Sequence, residues 1–138
     1  MANLREQIEA EIENIDKVLS GMPEAGKCLE LTMLELAGVA TLIHNFYNGL
    51  ENIIKQILLS KNIDIPRGSS WHKELISTAI SNNIIQEPIG KELQNYLAFR
   101  HFFVHSYVLD LYADRLIPLV EKAHTLFEKI KNDIKRLS

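Results

Sequence analysis

Hydrophobic residues recur every three or four positions along most of the chain, which is the spacing of one helix face. A first helix is predicted from Leu4, Ile8, Ile12, Ile15 and Leu19, and it ends before Gly21 and Pro23. A second, long helix is predicted from near Cys28 to about Lys61. Its apolar face consists of Leu36, Ala40, Ile43, Tyr47, Leu50, Ile54 and Ile57.

The second half of the chain continues the helical pattern after a loop at residues 63–70, which is rich in turn formers. Ser70 is a candidate N-cap for a short third helix at about 71–81. Pro88 suits the first turn of a fourth helix, and a break near 111–113 precedes the last one. No stretch alternates with period two, so the pattern predicts an all-α bundle of four long helices plus one short helix.

Composition and charge narrow the class of protein. The 138 residues fit a single domain spanning 1–138. A net charge of −3 gives no overall positive field, so contact with nucleic acid needs a local basic patch. Cys28 is the only cysteine, which suits a reducing compartment. With no signal-like apolar stretch and no membrane-length apolar run, we expect a cytoplasmic protein.

The fourth predicted helix breaks its own pattern at Arg100, which falls in the apolar stripe of Leu93, Leu97 and Val104. The aromatic residues around it make this segment apolar on nearly every side, as in a bundle interior or an oligomer interface. A guanidinium there is costly unless it is paired or functional. Charge placement alone favours an ion pair with an acid, for which the candidates are Glu35, Glu51 and Asp110.

Two histidines follow on the same helix. His101 and His105 are four residues apart and share a face, a spacing that can bind a metal. No third ligand stands at a motif spacing, so two hydrogen-bonded histidines are the better interpretation and no metal is expected. His105 lies about 140° around an ideal helix from Arg100. The two can meet at one phosphate only through the reach of the arginine, a distorted helix end or a second subunit.

These residues resemble a known family. Arg100-His101-x-x-x-His105 is similar to the Arg-x4-His motif of the HEPN ribonuclease superfamily, and Tyr107 extends it to the Arg-x4-His-x-Tyr of HepT-like toxins. Two flanking stretches also resemble that branch, Phe46-Tyr-Asn-Gly-Leu-Glu51 and Trp71-His-Lys-Glu-Leu75. The resemblance runs from about Ala37 to the end of the chain.

The resemblance implies a HEPN-type helical bundle and a toxin that acts as a metal-independent endoribonuclease on tRNA or mRNA, without a cofactor. It implies that the RNA 2′-hydroxyl attacks the adjacent phosphate and leaves a 2′,3′-cyclic phosphate. His105 is then the expected proton shuttle, because imidazole titrates near neutral pH. Arg100 stabilises the charge on the phosphorane, and His101 orients Arg100 or contacts phosphate.

The resemblance also implies partners. HepT-like toxins form homodimers and pair with an MntA-like nucleotidyltransferase antitoxin, in type VII toxin–antitoxin systems. That antitoxin transfers AMP from ATP to the tyrosine that corresponds to Tyr107, which would block phosphate binding by size and charge. Lys55, Arg67 and Lys73 are candidate RNA-binding residues of a positive groove.

Three interpretations therefore stay open. The first is the ribonuclease toxin. The second is a non-catalytic helical module that accompanies a nucleotidyltransferase and binds its substrate. The third is a plain helical scaffold in which Arg100 forms a structural ion pair and Tyr107 belongs to the core.

Overall fold

The structure is a computed structural model that describes residues 3–106 and 110–137. In those residues the chain forms five α-helices and one short 3-10 helix, and no strand. They are α1 (Leu4–Ser20), the 3-10 helix (Ala25–Glu30), α2 (Met33–Ser60), α3 (Trp71–Ser81), α4 (Glu87–His105) and α5 (Ala113–Arg136). The predicted all-α bundle of four long helices and one short helix is confirmed.

The predicted start of α2 near Cys28 is wrong, because Cys28 lies buried in the separate 3-10 helix. The helix begins at Met33 behind a capping box. The Thr32 hydroxyl accepts from the Glu35 backbone N–H at 3.1 Å, and the Glu35 carboxylate accepts from the Thr32 N–H at 2.9 Å. This reciprocal pair satisfies two N–H groups that the first turn leaves free.

Close packing of α1 against α2 depends on Gly49. A Cβ atom at this position would lie 2.6 Å from Ile15 Cγ1 and 2.9 Å from Ile15 Cδ1. Ile15 is itself almost completely buried, so it has little room to move aside. The missing side chain at Gly49 therefore sets how closely the two helices approach.

Contacts at both halves of α4 fix it in the bundle. At its start, the buried Asp133 carboxylate of α5 accepts from the Gln86 backbone N–H at 3.2 Å. In its middle, the buried Tyr96 hydroxyl donates to the Leu119 carbonyl at 2.6 Å. The helix also packs against α2 and α3. The segment that carries Arg100 is thus held against the core from three sides.

The short helix α3 spans the predicted range and brings its first residues next to α2. The Ser70 side chain forms no capping hydrogen bond, contrary to prediction; the Ser70 carbonyl accepts from the Glu74 N–H instead. None of the helices in the described residues combines the length and the apolar content needed to cross a membrane.

Candidate functional site

Helix α4 remains a continuous α-helix up to His105 and then turns into extended backbone at Ser106. His101 and His105 are both exposed on one face, with ring centroids 4.5 Å apart. Arg100 is half-buried, and its Nε atom is buried. Within one chain the helix therefore brings the two histidines together and leaves Arg100 on a different face, as an undistorted helix requires.

Arg100 has no ion pair within 4.0 Å among the described residues, and its Nε atom is buried without a hydrogen-bond partner there. Of the acids expected to neutralise it, Glu35 is exposed and caps α2, and Asp110 is exposed. Glu51 is paired with another residue. The structural ion pair is therefore not formed in the part of the chain that the structure describes.

Glu51 and His72 form a close polar contact between α2 and α3. Glu51 is 3% exposed, and its carboxylate oxygen Oε2 lies 2.6 Å from His72 Nδ1. A carboxylate is seldom buried to this degree without a strong partner. The contact joins residues separated by 21 positions in sequence and fixes the start of α3 against the middle of α2.

Two further polar side chains of α2 surround this contact. Burial lowers the pKa of His44 below its usual value, and the positive charge of Arg100 lowers it further, while Glu51 opposes the shift. Burial raises the pKa of Tyr47, and the negative charge of Glu51 and the approach of its carboxylate to the Tyr47 hydroxyl raise it further, while Arg100 opposes the shift. Because Arg100 and Glu51 both act on His44 and Tyr47, these groups share one interior region.

Arg100, Glu51, His72, Tyr47 and His44 are called the Arg100 cluster below. Two of its buried polar atoms, Arg100 Nε and His44 Nδ1, have no hydrogen-bond partner in the described residues. Buried polar atoms are nearly always paired, so two such atoms in one region indicate a place that water or a ligand completes. A fixed guanidinium beside such groups can hold an anion.

Aromatic and basic side chains surround the C-terminal half of α4. The His44 ring lies 5.0 Å from Phe103, centroid to centroid. The guanidinium carbon of the exposed Arg115, on α5, lies 4.2 Å from the centroid of the half-buried Phe102. Val104 is an apolar residue of this helix end and is 53% exposed. This end of the helix therefore presents an apolar surface with a cation beside it.

The candidate RNA-binding residues lie on α2, in the loop before α3 and in the first turn of α3. Arg67 is exposed in the loop before α3 and lines a cleft of about 280 Å³ with Lys55 and Trp71. Lys73 is exposed in the first turn of α3. Tyr107, the predicted modification site, lies outside the described residues.

Comparison with known proteins decides the family. The model of the HepT-like protein family matches residues 38–138. The chain belongs to this HepT-like family. The match begins within a residue or two of where the sequence resemblance begins, and it makes the bundle HEPN-type. Membership suggests a HEPN toxin of a toxin–antitoxin pair. No curated protein and no solved structure matches the chain significantly.

No group of three or more His, Cys, Asp or Glu side chains in residues 3–106 and 110–137 is arranged to hold a metal ion. This includes the surroundings of His101 and His105. The polar groups of the Arg100 cluster are an arginine, two histidines, a buried acid and a tyrosine, which are groups that bind anions and move protons.

Sequence reasoning missed His44, Arg115 and the pairing of Glu51 with His72. The sequence did contain a pattern that could have pointed to His44 and Glu51. His44, Asn48 and Glu51 follow one another at helical spacing, so three polar side chains share one face of α2. The contact with His72 depends on how α3 folds back, which periodicity does not determine.

Proposed function

We propose that the chain is the toxin of a toxin–antitoxin pair and cleaves RNA as a metal-independent endoribonuclease in the cytoplasm. The observation that carries this proposal is Arg100, a half-buried guanidinium whose Nε has no partner in the described residues. It stands on the same helix end as two exposed, adjacent histidines. A buried cation without an ion pair is costly, and binding of a substrate phosphate would offset that cost.

The proposed reaction forms a bond between the RNA 2′-oxygen and the adjacent phosphorus while the bond from phosphorus to the 5′-oxygen breaks. His105 takes the proton of the 2′-hydroxyl or returns one to the leaving 5′-oxygen. Its exposure at the end of α4 leaves it accessible to RNA. Arg100 donates N–H groups to the phosphorane oxygens, and His101, whose ring lies 4.5 Å from that of His105, contacts phosphate or orients the catalytic groups.

The proposed site is completed by a second copy of the chain. Because α4 is regular to His105, Arg100 and His105 of one copy lie on different faces of the helix. In a homodimer with paired α4 helices, Arg100 of one copy and His105 of the other would flank one cleft. The apolar surface at the C-terminal end of α4, which includes the exposed Val104, supports such an interface.

The proposed control is AMP transfer to Tyr107 by an MntA-like nucleotidyltransferase antitoxin. Tyr107 is two residues beyond His105 in sequence, so a nucleotide attached there would add bulk and negative charge close to the site. The RNA substrate is tRNA or mRNA, with Arg67 and Lys73 among the residues that contact its backbone.

Growth arrest on expression tests this proposal. Expression of the wild-type chain without an antitoxin should stop growth and leave cleaved RNA, whereas Arg100→Ala and His105→Ala should permit growth. Arg5→Ala and His124→Ala are matched controls, because both residues are exposed on helices away from the site. Arrest by correctly folded Arg100→Ala or His105→Ala, or no arrest by any form, contradicts the proposal.

A further inference from the structure

The cleft beside Trp71 has the composition of a nucleotide site. Trp71 opens α3 and is half-buried, and the Lys55 ammonium lies 4.1 Å from the centroid of its ring. Ile65, Pro66 and Arg67 complete the lining of this open cleft of about 280 Å³. The smallest pockets that bind small molecules have volumes of roughly 300 Å³. This cleft is just below that size, so it can hold a single ring system such as one base.

The charges of the cleft favour a polyanion. Lys55 and Arg67 are its charged lining residues, and neither forms an ion pair with any residue in 3–106 or 110–137. Asp64 lines the neighbouring cleft with Arg67 but lies beyond ion-pair distance of it. An aromatic ring and two cations in one cleft are the combination by which proteins bind single-stranded nucleic acid, since the ring stacks a base and the cations hold phosphates.

The cleft is joined to the Arg100 cluster by a single residue. The ring centroid of Trp71 lies 3.6 Å from that of His72, and His72 contacts Glu51 at 2.6 Å. Lys55 follows Glu51 by one turn on α2, so the acid and the lysine share a helix face. If one nucleotide of an RNA strand occupied the cleft, the next nucleotide of that RNA would lie close to the Arg100 cluster.

We propose that Trp71, Lys55 and Arg67 form a binding subsite for single-stranded RNA. A base stacks on Trp71 in the place that the Lys55 ammonium occupies, and Lys55 and Arg67 contact the flanking phosphates. Lys55 can leave the ring, because a single cation–π contact at a half-exposed ring is weak and the flexible stem of the lysine lets it turn to a phosphate. The inference rests on the proposed ribonuclease function, for which it supplies a substrate contact.

Trp71 is the only tryptophan of the chain, so its fluorescence reports on this subsite alone. We expect a 2′-O-methyl oligoribonucleotide, which cannot be cleaved by its own 2′-oxygen, to quench this fluorescence on titration at low salt. An abasic oligomer of equal length and charge serves as control and should bind without quenching. Quenching by both oligomers, binding of the first without quenching, or no binding at all would overturn the inference.

Substitutions test the two kinds of contact separately, with affinity followed by the anisotropy of a labelled oligonucleotide. Trp71→Leu should weaken binding about tenfold, whereas Trp71→Phe should retain most of it, because stacking needs a ring. A plot of the logarithm of the association constant against the logarithm of salt concentration has a negative slope. Lys55→Met and Arg67→Gln should each make this slope shallower by about 0.7, because each removes one phosphate contact. Lys91→Gln, an exposed lysine of α4, is the matched control. Unchanged affinity and slopes in folded variants contradict the subsite.

The subsite and the proposed function can fail independently. If the wild-type chain cleaves RNA but Trp71→Leu binds and cleaves normally, the subsite is wrong and the ribonuclease stands. If the oligonucleotide quenches Trp71 and no RNA is ever cleaved, the subsite stands as part of a non-catalytic RNA-binding protein.

Discussion

At the scale of single residues, Glu51 brings a buried negative charge into the region that also receives the charge of Arg100. Both residues act electrostatically on His44, and Arg100 forms no ion pair within 4.0 Å among the described residues. The close partner of Glu51 is His72, at 2.6 Å. Arg100 thus remains available to contact a ligand, in a region that also holds the buried negative charge of Glu51.

Replacing Glu51 tests this view of the Arg100 cluster. Glu51→Gln keeps the size of the side chain but removes the negative charge that faces His72. We expect the free energy of unfolding to fall by about 1–3 kcal/mol, the usual cost of leaving a buried polar partner unsatisfied. Urea unfolding measures this, with Glu74→Gln, an exposed acid of α3, as the control. A Glu51→Gln variant as stable as that control would show that the buried charge has no stabilising role.

The sequence indicated only some of these residues. Arg100 was recognisable as a charge in an apolar stripe, and His101 and His105 through their motif spacing, because both signals are local. Glu51 appeared in a stretch that resembles the family, but its contact with His72 spans 21 positions and arises only when α3 packs on α2. Periodicity describes the faces of single helices and carries no information on which faces meet.

At the scale of helices, the spacing of hydrophobic residues predicted which segments are helical, but it predicted the first residue of α2 wrongly. Helical spacing determines which residues face the core, so the five α-helices were predictable. The start of α2 was misplaced because the apolar pattern continues upstream through the 3-10 helix, whereas the Thr32 and Glu35 capping box begins the α-helix. Packing distances between helices depend instead on single small residues such as Gly49.

Two glycines of α2 make a matched test of the contact with α1. Gly49→Ala should lower the free energy of unfolding by about 1–3 kcal/mol, because the new methyl group overlaps the buried Ile15. Gly38→Ala meets nothing within 4 Å and should raise it by up to about 1 kcal/mol, since alanine favours helix. Thermal or urea unfolding measures both. Equal effects of the two substitutions would show that Gly49 is not a packing requirement.

At the scale of the whole molecule, the helix geometry makes the proposed site incomplete in one copy. Arg100 is half-buried on one helix face, while His105 is exposed beside His101 on another, and the helix is regular to its end. A two-fold pairing of α4 helices would place each arginine opposite a histidine of the partner, and it would cover the apolar surface near Val104.

Mixing two inactive variants tests whether the site is shared between copies. Dimers that combine Arg100→Ala with His105→Ala contain one intact arginine–histidine pair if the site is built across the interface. An equal mixture, exchanged by mild denaturation and refolding, should regain about a quarter of wild-type RNA cleavage by simple two-fold statistics. Each variant alone should stay inactive. A mixture as inactive as its components would place both residues of each site within one copy.

The most direct test of the account is the chemistry of the RNA ends produced by the purified chain in excess EDTA. Wild-type protein should yield 2′,3′-cyclic phosphate and 5′-hydroxyl ends. Arg100→Ala and His105→Ala should each cleave about 10²–10⁴-fold more slowly, as expected for loss of a charge-stabilising donor or an acid–base group. His124→Ala should cleave as wild type. Cleavage that stops in EDTA, 5′-phosphate ends, or full activity in folded Arg100→Ala or His105→Ala would contradict it.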